Sequence, residues 1–359
     1  MSRILVIRFS ALGDVAMTIP VVYSLAAQYP QHEITVLSRA VLQPLFQGLP
    51  ANVHFMSADL TGKHRGLWGL NTLYSELKKQ HFDYVADFHN VLRTKYLCLR
   101  FRMSGIPVAS IDKGRKGKKK LVRRHDKVLE NQKSSFRRYA DVLEKLGFPV
   151  LLNFTSIYGE GKGDFSLIEP VTGPKGDGIK WIGIAPFAKH EGKIYPIELE
   201  EQVVAHFAGR PDVKVFLFGG GRSEQEVFDS WILKYPTVVS MIGKLNISTE
   251  LNLMSHLDVM LSMDSANMHL ASLVNTPVVS VWGATHPYAG FMGWKQLPTN
   301  TVQLDLSCRP CSVYGQKPCF RKDYACMRNI KPEQIIQKIE GMLVDYCLLY
   351  TSDAADDLT

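Results

Sequence analysis

The stretch of the chain best suited to chemistry is 259–283, which reads VMLSMDSANMHLASLVNTPVVSVWG. An apolar strand leads into the polar turn 264–267, a helix follows from about Met268, and a second apolar strand ends the stretch. Small residues, a carboxylate and His269 are therefore predicted at a helix N-terminus. Unpaired N–H groups and the helix dipole bind anions there, so the stretch predicts a site for a nucleotide diphosphate.

A second candidate site follows the first strand of the chain. The strand ILVIRF at 4–9 runs into the turn SALGD, which ends at Asp14. A carboxylate at the end of a strand can act as a general base that takes the proton of an attacking hydroxyl group. It can equally cap the free amides of the helix that follows, and the residues alone leave both roles open.

The elements that must position these residues alternate between strand and helix, which predicts doubly wound, mostly parallel sheets. The predicted strands lie at 4–9, 34–39, 53–58, 84–89, 180–186, 213–221, 238–243, 259–263 and 278–283. A segment rich in Gly and Pro interrupts the pattern and predicts an interdomain linker at 161–178. We therefore expect an α/β protein of two Rossmann-like domains, 1–160 and 179–331, that face each other across a cleft, and a last helix at 332–346.

The composition is that of an ordinary globular protein. Of the 359 residues, 46% are hydrophobic and 21% are charged, and the formal net charge is +8. No apolar run reaches the roughly 18–20 residues that a membrane span needs, and the N-terminus does not resemble a signal peptide, so a cytoplasmic location is expected. The last residues, 347–359, resemble the translation of a sequencing-library adapter joined to a truncated gene, and we leave them out of the fold prediction.

Four motifs in order resemble glycosyltransferase family 9, the ADP-heptose:lipopolysaccharide heptosyltransferases. They are RFSALGDVAMTIPVVYSL near the start, APFAKHEGKIYP at 185–196, LFGGGRSE at 217–224 and DSANMHLASLVNTPVVSVWGATHP at 264–287. The resemblance covers 1–346 and implies the GT-B fold, with an N-terminal acceptor domain and a C-terminal domain for the nucleotide sugar. It implies an enzyme that transfers heptose from ADP-heptose, with inversion, to a lipopolysaccharide inner-core acceptor (Kdo or heptose). Such an enzyme is expected at the inner face of the cytoplasmic membrane.

The resemblance also implies roles for individual residues. Asp14 becomes the candidate base, and Lys193 the cation that neutralises charge on the leaving diphosphate. Further substrate-binding residues are implied in the same loops and in the C-terminal domain: Arg8, Ser10, Gly13, Lys189, Glu224, Leu245, Asp264, Ser265, Ala266, Asn267 and His269. Ala266 replaces the usual glycine of the family's turn, which requires that the turn have a negative φ or a slightly altered shape.

A basic block, KGRKGKKKLVRR at 113–124, contains eight Lys or Arg residues and no acid. It indicates either a solvated loop or a surface that captures an anionic lipopolysaccharide precursor or the inner membrane. Nucleic acid is not the expected partner, because no aromatic stacking motif or helix-turn-helix accompanies the charge.

Four cysteines, Cys308, Cys311, Cys319 and Cys326, suit either a structural Zn²⁺ site or reduced packing thiols.

Two other functions stay open at this level. One is a GT-B glycosyltransferase or epimerase that uses another nucleotide sugar, and the other is a basic protein that binds anionic lipid or nucleic acid without turnover. The glycine run 219–221 is not a G-x-G-x-x-G fingerprint, which argues against a dinucleotide oxidoreductase. The natural chain has no Asp-x-Asp pair for a metal-bound nucleotide sugar, so catalysis is expected to require no metal cofactor.

Overall fold

The computed structural model describes residues 1–352, so the predicted adapter-derived tail lies outside the described residues from 353 onward. The chain forms two compact units. Unit 1 consists of Met1–Arg115 and Lys133–Gly159, and unit 2 consists of Lys116–Gln132 and the chain from Glu160 onward. Within the described residues, no helix is long and apolar enough to cross a membrane.

Unit 1 is a parallel sheet covered by helices. Its strands are Arg3–Ile7 (β1), Glu33–Ser38 (β2), Val53–Ser57 (β3), Tyr84–Asp87 (β4) and Val108–Ser110 (β5). Its helices are Leu12–Ala16 (α1), Ile19–Gln28 (α2), Gly66–Lys78 (α3), Leu92–Met103 (α4), Arg115–Leu121 (α5, which continues into unit 2) and Ser135–Lys145 (α6), with a 3₁₀ turn at Ala40–Phe46. The strand order is β3-β2-β1-β4-β5, and all four pairings are parallel.

Unit 2 repeats this architecture with one more strand. Its strands are Lys180–Ala185 (β6), Val213–Leu217 (β7), Val238–Ser240 (β8), Val259–Met263 (β9), Val278–Val281 (β10) and Thr301–Val302 (β11). Its helices are Glu169–Thr172 (α7), Ile197–Ala208 (α8), Arg222–Lys234 (α9), Ile247–His256 (α10), Ala266–Leu273 (α11), Ala325–Arg328 (α12) and Pro332–Ser352 (α13). Short 3₁₀ turns occur at Phe165–Leu167, Glu191–Lys193, Pro287–Ala289 and Pro298–Asn300. The strand order is β11-β10-β9-β6-β7-β8.

The sequence accounts for the central position of β1 and β9. Residues 4–7 of β1 and all five residues of β9 are buried, because parallel strands covered by helices on both faces need an unbroken apolar run. Helices contribute one apolar face each to the cores. In unit 1, Leu73 and Leu97 pack with the sheet residue Leu5, and in unit 2, Val203 and Ile335 pack with Val215 in the same way.

Each sheet has a topological switch point beside its first strand. In unit 1, β1 has β2 on one side and β4 on the other, and in unit 2, β6 has β7 on one side and β9 on the other. Loops that leave neighbouring strands toward opposite sides of a sheet open a crevice at the carboxyl ends of these strands, where α/β proteins bind ligands. The loops after β1 and β4 therefore form one candidate site, and the loops after β6 and β9 form another.

Two segments differ from the sequence prediction. The segment 116–132 was expected in the first domain, but it packs on unit 2: Gln132 N–H donates to the Tyr288 carbonyl at 2.8 Å, and the Lys118 ammonium lies 3.9 Å from the Phe291 ring centroid. The predicted linker 161–178 also belongs to unit 2, where Gly163 N–H donates to Ser255 Oγ at 2.9 Å. Contacts between residues this distant in sequence leave no local pattern, so neither placement could be read from composition.

Candidate active site

The site in unit 1 is built around an ion pair between Arg8 and Asp14. Arg8 follows β1, is buried, and donates to the carbonyl of Phe88 after β4 at 2.7 Å, which joins the two loops of the switch point. Its other terminal nitrogen lies 2.8 Å from Asp14 Oδ2. The same oxygen accepts the N–H of Ala11 at 3.2 Å, and Asp14 thereby caps α1. Both of these contacts use Oδ2 of Asp14.

His89 adds a neutral imidazole to this site, and the sequence analysis did not identify it. Its ring is buried, and Nδ1 accepts the N–H of Phe9 at 3.4 Å, which assigns the ring proton to Nε2. Burial, and then the charges of Arg8 and Lys113, lower the pKa of His89 to about 3. Burial and the charge of Arg8 also lower the pKa of Lys113. Arg8 and Lys113 thus bring positive charge close to Asp14, although the carboxylate of Asp87, which accepts the N–H of His89 at 2.9 Å, also acts on Lys113.

The other two residues predicted in this loop lie beside the ion pair. Ser10 is half-buried in the turn after β1, and Gly13 is buried in the first turn of α1. The carbonyl of Asp14 accepts the hydroxyl of Tyr139 at 3.2 Å, so α6 helps to hold the turn. The structure therefore brings Arg8, Ser10, Gly13 and Asp14 together at one loop, as the spacing of the motif predicts.

The site in unit 2 centres on a second ion pair, between Lys193 and Asp264. The ammonium of Lys193, in the loop after β6, lies 3.0 Å from Asp264 Oδ2, directly after β9. The same oxygen accepts the hydroxyl of Thr285 at 2.8 Å. Both charged side chains are largely shielded from water, so their attraction is stronger than that of an exposed pair. Asp264 therefore fixes the position of the Lys193 ammonium at the switch point.

The helix α11 begins directly beside this pair. Ser265 is its N-cap residue, and Ala266 and Asn267 are its first two residues, so the amides of its first turn have no partner within the helix. The Ser265 hydroxyl lies 3.2 Å from that of Ser262, and His269 is buried in the second turn. Ala266 has the negative φ of a helical residue, so alanine replaces the glycine of the family's turn without strain.

The remaining predicted substrate-binding residues, Lys189, Glu224 and Leu245, lie in three other loops of unit 2. Lys189 is exposed in the loop after β6. The carboxylate of Glu224 turns back to accept the N–H of Gly220 at 2.7 Å, and burial raises its pKa although this hydrogen bond opposes the effect. Leu245 is half-buried directly before the N-cap residue of α10. All three lie in unit 2, after the carboxyl ends of β6, β7 and β8 respectively.

Two residues that were not predicted from the sequence, Thr285 and Gly315, lie next to Lys193 or its partner Asp264. Thr285 stands four residues after β10 and shares the carboxylate of Asp264 with Lys193. Gly315 has a φ of +83°, and a Cβ atom added there would lie only 2.5 Å from Cδ of Lys193. The threonine occurs within the motif that carries the family resemblance and could have been identified there. The glycine approaches Lys193 through tertiary structure alone.

For Cys308, Cys311, Cys319 and Cys326 the sequence left open a structural Zn²⁺ site or reduced packing thiols, and the arrangement of the thiols favours the second. Among the side chains that the structure describes, those of residues 1–344, no three of His, Cys, Asp or Glu are grouped so that they could hold a metal ion. The thiols turn to separate partners, with Cys311 Sγ 3.8 Å from the Ala284 carbonyl and Cys319 Sγ 3.8 Å from Asp323 Oδ1. Burial raises the pKa of Cys311, and that of Cys326 to about 11.

Comparisons with known proteins agree with this geometry. A family model described as glycosyltransferase family 9 (heptosyltransferase) matches residues 71–319. Lipooligosaccharide heptosyltransferase 2 of Campylobacter jejuni is 24% identical and aligns over 92% of this chain and 95% of its own length. A family 9 glycosyl transferase from Veillonella parvula superposes with a TM-score of 0.73 at 20% identity, covering 96% of this chain and 98% of that one. ADP-heptose lipopolysaccharide heptosyltransferase II of E. coli gives 0.68 at 17% identity, covering 96% and 99%.

Two parallel-sheet α/β domains with these structural neighbours define a glycosyltransferase of the GT-B fold class. The family model spans well over half of the chain, and the protein therefore belongs to glycosyltransferase family 9 (heptosyltransferase). Membership makes it an enzyme and excludes the alternative of a basic binding protein without turnover.

Proposed function

We propose that this enzyme transfers a heptose from ADP-heptose to an inner-core sugar (Kdo or heptose) of a lipopolysaccharide precursor, with inversion of the anomeric centre. The names of the relatives support the substrate class, since they include a lipooligosaccharide heptosyltransferase and an ADP-heptose lipopolysaccharide heptosyltransferase. The first domain takes the acceptor in this proposal, and the second takes the nucleotide sugar.

The observation that carries the proposal is the Lys193–Asp264 pair beside the first turn of α11. A diphosphate that leaves a sugar gains negative charge in the transition state. An ammonium held in place by a buried carboxylate, together with free helix amides, stabilises that charge without having to reorganise. Such an arrangement suits a departing nucleotide diphosphate and supplies the positive charge that a metal ion provides elsewhere. We therefore propose catalysis without a metal cofactor.

Asp14 is the proposed base on the acceptor side. Its carboxylate takes the proton of the acceptor hydroxyl while the hydroxyl oxygen forms a bond to the anomeric carbon of the heptose. The bond from that carbon to the diphosphate oxygen breaks in the same step, and its electron pair leaves with ADP. A single displacement of this kind inverts the anomeric centre. Arg8 holds the carboxylate of Asp14 in place through the 2.8 Å contact.

The cation-rich surroundings of Asp14 support an anionic acceptor. Arg8 and Lys113 both raise the local positive potential, and after burial their charges are the next causes that lower the pKa of His89. The basic block 113–124 would add longer-range attraction for a phosphorylated precursor and for the inner surface of the cytoplasmic membrane. We therefore propose that the enzyme works at the cytoplasmic face of this membrane.

The test compares the intact enzyme with Asp14→Asn in an assay that contains ADP-heptose and a truncated lipopolysaccharide. Asparagine keeps an oxygen for the N–H of Ala11 and so preserves the cap of α1, but it cannot accept a proton. We expect kcat to fall by about 100-fold or more, as is usual for loss of a general base, and the melting temperature to fall as well, because the buried Arg8 loses its ionic partner. Equal turnover by the two proteins would remove Asp14 from the mechanism.

Two further measurements address the donor and the stereochemistry. Calorimetric titration should give tighter binding of ADP than of UDP, because the proposal specifies an adenine nucleotide. Tighter binding of UDP would favour the alternative of a GT-B enzyme with another nucleotide sugar. The anomeric configuration of the product, determined by NMR, should be opposite to that of the donor. A retained configuration would contradict the single displacement.

A further inference from the structure

Two neighbouring helices of unit 1 expose large apolar side chains to solvent. Trp68, in the first turn of α3, is 88% exposed, and Leu92, the first residue of α4, is 85% exposed. Leu67 on α3 and Leu99 and Met103 on α4 are also exposed. Single exposed apolar residues need no explanation, but five on two adjacent helices form a patch that needs a partner. We call these five residues the α3–α4 patch.

Hydrogen bonds between side chains hold the two helices next to each other. Asn71 Oδ1 on α3 accepts the hydroxyl of Tyr96 on α4 at 2.6 Å, and further toward the C-terminal ends of both helices the hydroxyl of Tyr74 lies 2.6 Å from that of Ser104. The helices therefore run side by side in the same direction. One turn before the Asn71–Tyr96 contact lie Leu67 and Leu92, which the same spacing sets against each other.

The residues around the α3–α4 patch are basic, which favours an anionic partner. Helix α4 carries Arg93, Lys95, Arg100 and Arg102 and no acid, and three of these four side chains are exposed. The one carboxylate on α3, Glu76, is already paired with Lys63 and His64. Apolar side chains interspersed with exposed cations, and a tryptophan among them, are the features that hold a helix at the surface of an anionic bilayer.

The α3–α4 patch lies at the same edge of the sheet as the loop that carries Asp14. Leu92 stands three residues after His89, whose ring accepts the N–H of Phe9 in the loop that carries Arg8 and Asp14. The N-terminal ends of α3 and α4 follow the carboxyl ends of β3 and β4, at the edge of the sheet where this site lies. A bilayer bound to the patch would therefore lie close to the candidate base.

We propose that the α3–α4 patch docks the enzyme onto an anionic lipid bilayer and so presents the Asp14 site to an acceptor embedded there. The proposal rests on the proposed function in one respect, the membrane-embedded acceptor. The docking itself depends only on the surface. Trp68, Leu67 and Leu92 enter the interfacial region, and Arg93, Lys95 and Arg102 contact lipid phosphates.

Vesicle sedimentation with the full-length protein tests the docking. Phosphatidylcholine vesicles with and without phosphatidylglycerol are compared for the wild type and for the double variant Trp68→Ser, Leu92→Ser. We expect the wild type to prefer anionic vesicles and the double variant to bind them at least about tenfold more weakly, since two large apolar side chains no longer enter the bilayer. The matched control is Leu233→Ser on α9 in unit 2, where the leucine is 87% exposed, and it should bind as the wild type does.

Tryptophan fluorescence gives a second readout. Of the five tryptophans, all within the described residues, Trp181, Trp231, Trp282 and Trp294 are buried and only Trp68 is exposed. Anionic vesicles should therefore shift the emission of the wild type to the blue, and the shift should be absent in Trp68→Phe. An unchanged emission spectrum, or equal sedimentation of the wild type and the double variant, would overturn the proposal.

Kinetics separates this proposal from the proposed function. With a soluble, delipidated acceptor saccharide, the double variant should keep the kcat and KM of the wild type, whereas with a vesicle-embedded acceptor its KM should rise. If the wild type turns over neither acceptor, the proposed function fails while the vesicle assays still decide the docking. If the wild type does not bind vesicles and forms dimers that the double variant does not form, the patch is a protein interface and the docking proposal is wrong.

Discussion

At the scale of single residues, Asp14 shows that a structural and a catalytic role can coexist. One carboxylate oxygen caps α1 through the N–H of Ala11 and pairs with Arg8, and these contacts fix the side chain in the loop after β1. A base that is already immobilised loses little entropy when substrate binds. The capping role that the sequence left open is therefore present, and it supports the proposed catalytic role rather than replacing it.

Glu200 is a residue with no evident catalytic task and a large energetic effect. It lies in the first part of α8, one turn before Val203, and is fully buried in the core of unit 2. Neither of its carboxylate oxygens has a hydrogen-bond partner among the described residues. Burial raises the pKa of Glu200 to about 8, because a charge in an apolar core lacks the solvation that water gives it.

The stability of unit 2 is therefore expected to depend on pH through Glu200. In the unfolded chain this carboxyl ionises near its ordinary pKa of 4.5, whereas in the folded protein it stays neutral to about pH 8. Unfolding releases a proton in this range, so stability is highest below pH 4.5 and falls as the pH rises toward 8. Glu200→Gln removes the effect and should stabilise the protein at pH 7 by about 3 kcal/mol, at 1.36 kcal/mol for each pKa unit.

Thermal unfolding of the wild type and Glu200→Gln at a series of pH values measures this effect. The difference between their melting temperatures should be small near pH 4.5 and should widen up to about pH 8. Glu198→Gln, an exposed position on the same helix, is the control and should follow the wild type. A constant difference across the pH range would show that Glu200 is ionised in the folded protein.

At the scale of elements, the sequence predicted what local patterns encode. All nine strands named from apolar runs are present, since buried parallel strands leave unbroken hydrophobic segments. β5 and β11 were missed because they have three and two residues and lie at sheet edges, where no apolar run is needed. Several predicted strands ran too far, as at 213–221, where the glycines after β7 belong to the turn before α9.

The residues of the candidate sites also separate into those that local sequence patterns identify and those that depend on tertiary contacts. Asp14, Asp264 and Lys193 stand in loops after predicted strands, and the family motifs identified them by spacing. The contact of Lys193 with Asp264 depends on the parallel pairing of β6 with β9, which brings the two loops together from distant parts of the chain. His89 stands at the end of a predicted strand and could have been considered there, whereas Gly315 approaches Lys193 through tertiary structure alone.

Gly315 allows a test of how closely Lys193 must be positioned. An alanine there would place Cβ 2.5 Å from Lys193 Cδ and 2.6 Å from Cγ, so the lysine stem must move and its 3.0 Å contact with Asp264 must change. We expect Gly315→Ala to lower kcat by about tenfold or more, since transition-state stabilisation depends on a pre-positioned charge. The positive φ should also cost about 1 kcal/mol of stability.

The strain of the positive φ must be separated from the displacement of Lys193. Gly178 has a φ of +75° in the same unit, and a Cβ atom added there would meet nothing within 4 Å. Gly178→Ala should therefore lose a similar amount of stability but keep the kcat of the wild type. If both variants have the same kcat, the position of Lys193 does not limit turnover. Steady-state kinetics and thermal unfolding of the two proteins give both comparisons.

At the scale of the whole molecule, positive charge is concentrated rather than spread. The formal net charge is +8, and the block 113–124 alone contributes eight cations without an acid. Lys118 of this block is buried against Phe291, whereas Lys116, Lys119 and Lys120 are exposed. The buried lysine anchors α5 on unit 2, and the exposed lysines extend from that anchor into solvent. This separation into an anchoring and an exposed set is expected to make the block an electrostatic attractant for anionic acceptors.

Ionic strength tests that role in the kinetics of the enzyme with a soluble, phosphorylated acceptor saccharide. Added salt screens exposed charges beyond a Debye length of about 10 Å at 0.1 M, so kcat/KM for the acceptor should fall as salt rises, while kcat stays constant. The triple variant Lys116→Gln, Lys119→Gln, Lys120→Gln should lose about tenfold in kcat/KM at low salt and show a flatter salt dependence. The control replaces three other exposed lysines, Lys145, Lys295 and Lys331, with glutamine. It changes the net charge by the same amount and should keep most of the salt dependence of kcat/KM. If the two triple variants behave alike, the net charge of the molecule rather than the block attracts the acceptor.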